Sequence, residues 1–445
     1  MKVTTSRPLA LTAASLCLAS IAFGGEIAPN AIDQFVEPPA DATLFPVPDY
    51  TGSLAERSAL TGDWGGLRTK LADYGFQAEL SMTNIYQGVW DGGRGDDGWE
   101  FGASADYVFK FDLEKMGLWR GGFVQVNAET YFGDNVNRRT GTLLPVNSDS
   151  LYPNNGEETT AVPSVVLTQF LSDRFAIFAG KLDTTQGDLN EFAWGKGGEG
   201  FMNLGFGLNP VPALTTPYST LGAGFLFVPD EESYLSVSVY DPNGDPTKSG
   251  FESFFEDGVT IAAEGRIGTE FFGKRGHQLL GVAWSNKDYT GLEQDPRLLA
   301  GSLLTTGSIA SGVKKEDDSW AVWYNFDQYL VGGDDGRGFG LFGRVGFADE
   351  KTNLVEQFYS LGVGGKGIIE GRENDRMGAG YYYLAYSDDL PGLLPRDDHE
   401  QGWEIYYDAA VTPWMSVGAD LQFVDSPLDG VDTAVVGGLR AKVRF

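Results

Sequence analysis

From Trp99 to Leu113 the chain alternates with a period of two. Trp99, Phe101, Ala103, Ala105, Tyr107, Phe109, Phe111 and Leu113 fall on one side, and Glu100, Ser104, Asp106, Lys110 and Asp112 on the other. That period belongs to a β-strand, here longer than the roughly 5–6 residues usual in a globular sheet. About ten residues is the length a tilted strand needs to cross a hydrocarbon layer, and rings at its two ends suit the two interfaces. The same test predicts strands near 76–89, 99–113, 122–132, 162–171, 174–183, 220–228, 234–241 and 258–268. Eight more follow near 277–288, 319–330, 338–348, 356–365, 377–387, 402–412, 414–424 and 433–445, sixteen in all.

In the last of these, Val435, Leu439, Ala441, Val443 and Phe445 share one face, and Arg440, Lys442 and Arg444 share the other. In a barrel the apolar face meets lipid and the basic face meets a wet lumen. Closure also removes the unpaired backbone edge that lipid cannot solvate. The expected fold is therefore all-β, a sixteen-stranded antiparallel transmembrane barrel. Connections alternate in length: Ser172–Asp173 and Thr412–Pro413 are tight turns, while 133–161, 184–219 and 289–318 are long. Short periplasmic turns and long external loops give that pattern, and an even strand count puts both ends on the periplasmic side.

Ahead of the strands, residues 1–24 carry Lys2 and Arg7, then an apolar run from Leu9 to Phe23 and small residues around Gly24, a secretory signal. The run is too short for a transmembrane helix. Residues 25–58, with Pro38, Pro39, Pro46 and Pro48, read as an extension, and 59–75 as a short periplasmic helix. Asp63 is expected to cap that helix, Leu67 and Leu71 to share its apolar face and Gly75 to end it. The barrel is assigned to 76–445.

The formal charge of −30 becomes −32 once Lys2 and Arg7 leave with the signal. So acidic a chain lacks the basic patches of nucleic-acid binders. The acidic loops instead suit solvent, or divalent ions bridging to lipopolysaccharide beside the surrounding outer-membrane lipid. The sole cysteine, Cys17, lies in the signal, so no thiol chemistry is expected of the mature chain. His277 and His399 stand apart from any metal-ligand spacing, and no nucleophile elbow or phosphate-binding loop occurs. No catalytic residue, cofactor or metal is expected. Asp241, Asn243, Asp245 and Glu252 match a calcium-loop spacing, but Pro246 occupies the position where the pattern needs glycine, which favours a turn.

Several longer segments occur in order: LTGDWGGLR at 60–68, GKLDTTQGD at 180–188, FMNLGFGLNP at 201–210, PYSTLGAGF at 217–225, DPNGDP at 241–246 and the ending LRAKVRF. Together they resemble the carbohydrate-selective porin family of OprB type, from about Leu60 to Phe445. The resemblance implies a sixteen-stranded outer-membrane porin through which small, glucose-like sugars diffuse into the periplasm. Composition and spacing do not choose sugar over other small solutes. A general or anion-preferring pore stays open as an alternative, as does a secreted soluble carbohydrate-binding β protein, and both a monomer and a homotrimer fit.

A sugar filter needs flat aromatic faces for pyranose C–H groups, and charged or amide groups that replace hydroxyl hydration. The 184–219 connection supplies Asp188, Asn190, Glu191, Phe192, Trp194, Lys196, Glu199 and Asn203. A connection that long favours a loop folded inward as a constriction, against an external flap. On the wall, Lys110, Arg266, Arg344, Arg440, Lys442 and Arg444 fall in the inward phase opposite acids such as Glu264. Each is either a pore-lining contact or a charge paired across the wall.

Overall fold

The computed structural model describes residues 44–95, 98–154, 156–294, 313–333, 335–390 and 397–445. The expected signal at 1–24 and the first part of the extension lie outside the described residues. Sixteen antiparallel strands close into a single barrel. They are β1 Phe76–Gly93, β2 Gly98–Asp112, β3 Gly122–Gly133, β4 Thr159–Ser172, β5 Phe175–Asp183, β6 Ser219–Phe227, β7 Tyr234–Tyr240, β8 Thr260–Phe271 and β9 Lys274–Ser285. A two-residue ribbon outside the barrel, β10 Tyr289–Thr290 with β11 Lys315–Glu316, interrupts the next connection. The wall resumes with β12 Ser319–Gly332, β13 Gly338–Ala348, β14 Val355–Lys366, β15 Arg376–Tyr386, β16 His399–Thr412, β17 Met415–Asp425 and β18 Asp432–Arg444. The first and last strands pair in register, Thr83 opposite Lys442 and Ile85 opposite Arg440, so the sheet has no free edge.

Every strand expected from the period-two pattern is present, with ends shifted by a few residues. The ribbon was not anticipated, because two residues carry no periodicity. Alternation also sorts the faces: Phe101, Leu235, Leu361, Trp403, Ile405 and Leu439 are exposed on the outside, toward lipid, while Lys110, Arg344 and Arg440 are buried inside. One of three two-residue turns, Phe272–Gly273, holds both residues at positive φ, 58° and 68°. That handedness matches the twist of the flanking strands, and such short turns all lie at one end.

The N-terminal helix, α1, is confined to Leu67–Asp73, and its burial departs from expectation. Arg68 and Ala72 face inward, whereas Leu67 is 51% exposed. Gly62, Gly65 and Gly66, all at positive φ, prevent the helix from starting earlier. Asp63 does serve the helix start, its Oδ1 accepting the amide of Thr69 at 2.8 Å. Arg68 donates to the carbonyls of Ala78 and Phe445 at 2.9 and 2.8 Å, tying the helix to the barrel seam.

Upstream of α1 the chain enters the short-turn mouth of the barrel. Phe45 packs edge-on to Phe123 at 5.5 Å, lies 5.8 Å from the Lys110 ammonium, and its carbonyl accepts from Gln77 at 2.8 Å. Gln77, Lys110 and Phe123 all point into the lumen by strand parity.

Candidate pore constriction

The connection between β5 and β6 crosses the lumen and docks on the far wall, formed by β12 to β17. Its amides and side chains reach inward-facing groups there: Asn190 Nδ2 donates to Asn325 Oδ1 at 2.6 Å, and the Glu191 amide to Asp327 at 3.1 Å. Asn209 donates to the Val345 carbonyl at 3.1 Å. The lumenal side chain is reduced to hydrogen where the loop lies closest. A Cβ on Gly380 would stand 2.5 Å from the Phe206 ring, and one on Gly364 would stand 2.7 Å from Phe192. Phe201, Phe206, Phe342 and Tyr382 form an apolar cluster between loop and wall, so this side of the barrel is filled.

Charge anchors the loop. Arg344 has no exposed surface; it donates to Asp188 Oδ2 at 2.6 Å and to the carbonyls of Phe206 and Ala193 at 2.7 Å each. Arg440 Nη2 lies 2.7 Å from both oxygens of Asp408 and 2.8 Å from the Gly200 carbonyl, and Nη1 donates to the Gly197 carbonyl at 2.5 Å. Donors on separate nitrogens let one guanidinium serve a carboxylate and several carbonyls at once, a spread that a point-like ammonium does not match. Asp188, Asn190 and Asn203, expected to meet solute, are buried and hydrogen-bonded to the wall or to the loop itself. Phe192 is packed edge-on to Tyr329 at 4.8 Å. Glu191 and Glu199 are buried as well, and Trp194 and Lys196 keep some exposed surface.

Lys196 joins the loop to the near wall. Its ammonium lies 2.7 Å from Glu129 and 2.8 Å from Asp183, and over the rings of Tyr152 and Tyr218 at 4.4 and 4.7 Å. Burial alone would discharge it, but the paired carboxylates outweigh that effect and hold its pKa above the usual lysine value. Tyr218 donates in turn to Glu129. Beside this cluster Asp106 is half-buried, accepts from Ser81 at 3.1 Å, and feels the charges of Lys196 and Lys442. Its Oδ1 accepts no hydrogen bond among the described residues.

The other wall residues divide similarly. Glu199 sits among Arg444, Arg376 at 3.4 Å and Lys442 at 4.0 Å. Burial opposes its charge, yet these cations keep its carboxyl down at about 2. Lys110 pairs with Glu79 at 2.5 Å beneath Phe45, and Arg266 stands 3.8 Å from Asp327. Glu264 accepts from the Asp188 amide at 3.0 Å, Tyr234 at 2.5 Å and Trp323 at 3.2 Å.

Two features escaped the sequence reading. The 134–158 connection also folds inward, the amides of Leu143 and Leu144 donating to Glu400, and Val146 accepting from Gln87 and Gln422 at 3.2 and 2.8 Å. Its docking wall is a column of acids on β16. Glu400 takes that loop, Glu404 takes the amides of Met202 and Asn203 at 2.7 and 2.9 Å, and Asp408 takes Gly200 at 2.7 Å. The signal was present as three carboxylates spaced by four on one strand face, about 13 Å apart. Near 241–252, Asp241 accepts the amides of Asn243 and Phe255, and Asp245 the amide and hydroxyl of Thr247, the pattern of a turn. Among the described residues no group of three or more His, Cys, Asp or Glu side chains is arranged to hold a metal ion.

Comparison with known proteins agrees with this architecture. Residues 103–445 match the model of the carbohydrate-selective porin, OprB family. Porin B of Pseudomonas aeruginosa is 27% identical over 443 positions, covering 87% of this chain and 91% of that protein. The putative porin QuiX of Acinetobacter baylyi is 23% identical over 88% of this chain and 94% of its own length. Among solved structures, Pseudomonas putida OprB at high pH superposes with a TM-score of 0.76 at 23% identity, covering 88% of this chain and all of that one. With a closed sixteen-strand barrel and a match over most of its length, the chain belongs to the OprB family of carbohydrate-selective porins of the bacterial outer membrane.

Proposed function

We propose that small neutral sugars of glucose size pass by diffusion through the gap beside Lys196, the part of the lumen that the 184–218 loop leaves unfilled. The observation that carries this reading is Lys196, held between Glu129 and Asp183 with two tyrosine rings beside it. Tyrosine faces suit the C–H side of a pyranose, and the free oxygen of Asp106 can replace water on a hydroxyl. Opposed charges across the gap orient a polar solute without favouring one sign of ion. Binding stays weak, as a conducting site requires.

On the terminal strand Arg440 is paired with Asp408, but Glu199 is one carboxylate among Lys442, Arg444 and Arg376, and that excess of positive charge among the described residues keeps an anion-preferring pore as the second reading. Liposome swelling tests the sugar reading: glucose is expected to enter faster than amino acids or organic anions of similar size. Equal rates sink it.

A further inference from the structure

The crossing loop is held at Glu191 by a closed circuit of charged groups on the wall around β8, β9 and β12. The Glu191 amide donates to Asp327 Oδ2 at 3.1 Å, and Asp327 Oδ1 lies 2.6 Å from His277 Nδ1. The other ring nitrogen, Nε2, lies 2.6 Å from Oε2 of Glu232, in the turn between β6 and β7. Glu232 Oε1 stands 3.7 Å from Arg275, whose guanidinium returns to Glu191 Oε1 at 3.1 Å. The circuit leaves the loop through its backbone and comes back to it through its side chain.

His277 is the one link whose charge its residue type does not fix. It is buried, and the groups that face it are Asp327 from β12, Glu232 from the β6–β7 turn, Arg266 from β8 and Arg275 from its own strand. A carboxylate only accepts, so each 2.6 Å contact requires an N–H on the ring, and only the imidazolium carries both. The surrounding charges lead to the same state. Three carboxylates, Glu191, Asp327 and Glu232, meet two guanidiniums, Arg266 and Arg275. Among the described residues the circuit is therefore neutral only when His277 supplies the third positive charge. A neutral ring would turn a lone pair onto one carboxylate and leave a charge uncompensated.

We infer that His277 is a positioning residue for the constriction: its imidazolium keeps Asp327 in place as acceptor for the Glu191 amide and thereby fixes the loop where it crosses the lumen. Imidazolium suits the place because its two donors diverge, one toward β12 and the other toward the β6–β7 turn. His277 touches no solute and acts only through Asp327 and Glu232. The inference requires that the loop narrow the lumen, and it holds whether sugar or another small solute passes.

Because His277 and His399 are the only histidines, the charge state is directly measurable. In a His399→Gln channel labelled with nitrogen-15 histidine, His277 alone gives ring signals, and at pH 7 both nitrogens should show a directly bonded proton. A neutral tautomer, with one bare nitrogen, overturns the inference. Single-channel recording tests the consequence. His277→Gln leaves the circuit with one negative charge in excess, and conductance should rise as the loop loosens. Adding Asp327→Asn restores the balance while its amide oxygen can still accept from Glu191, so conductance should return toward the unmodified value. Lost packing would not be repaired by that second substitution. Conductance unchanged in His277→Gln, or no recovery in the double variant, overturns the positioning role. Should His277→Gln fail to fold, the labelled channel still decides.

Discussion

Arg344 Nε lies 2.6 Å from Asp188 Oδ2, joining the middle of β13 to the start of a loop that begins on the opposite wall. Neither side chain reaches open lumen, and Asp188 holds φ at 57°, a conformation that L residues seldom adopt. Removing one member of a buried ion pair strands the other, at a cost of about 3–5 kcal/mol. Arg344→Ala is therefore expected to release the loop, raise single-channel conductance and erase discrimination between glucose and larger sugars in swelling assays. Arg344→Lys should fail to restore it, because one ammonium cannot serve both Asp188 and the carbonyls of Phe206 and Ala193. Conductance and selectivity both unchanged in Arg344→Ala would contradict the anchoring role.

Lys196 is the cation between two carboxylates at the gap, so its loss leaves Glu129 and Asp183 facing each other. Lys196→Met should shift the reversal potential under a salt gradient toward cation preference and slow glucose entry. An unchanged reversal potential would mean that ions pass elsewhere in the lumen.

Glu199 gives a pH test. Its carboxyl is held at about 2 in the folded channel against an ordinary value of 4.5. A depressed carboxylate stabilises the folded form above the ordinary value, and that contribution disappears as pH falls through the lower one. Loop docking through Arg444, Arg376 and Lys442 should thus be constant from pH 7 to about 5 and weaken between roughly 4.5 and 2. Current noise or conductance should rise across that window in the unmodified channel. Glu199→Gln should lack the Glu199-dependent part of the rise, and identical profiles for the two would assign the transition to other carboxylates.

The strands were legible because one period governs each of them, and lipid outside with water inside leaves no ambiguity about which face is which. The inward course of the 184–218 loop was legible only from its length. Its anchors were not, because inward phase identifies lumenal residues without saying which will be covered. Arg344 and Arg440 have the same pattern as Arg444, yet the first two are buried under the loop and the third is part-exposed. The glycines at 364 and 380 marked the landing surface, although a glycine on a strand is equally consistent with a bulge. The apolar face of α1 was misread because Arg68 is drawn inward by two carbonyls, a long-range demand that helical periodicity does not encode.

The strap ahead of α1 makes the last prediction. Phe45 occupies lumen space against Phe123 and above the Lys110–Glu79 pair, and its carbonyl is held by Gln77. Unlike a wall residue, it sits on a segment outside the barrel's hydrogen-bonded ladder, so the wall does not depend on it. Phe45→Ala should widen the short-turn mouth, raising ion conductance while leaving barrel thermal stability close to that of the unmodified protein. Phe123→Ala, on the wall, should instead lower stability, by about 3–5 kcal/mol if the site cannot collapse. If Phe45→Ala left conductance unchanged, the narrowest point would lie at the crossing loop alone, and the strap would serve only to seal Lys110 from solvent.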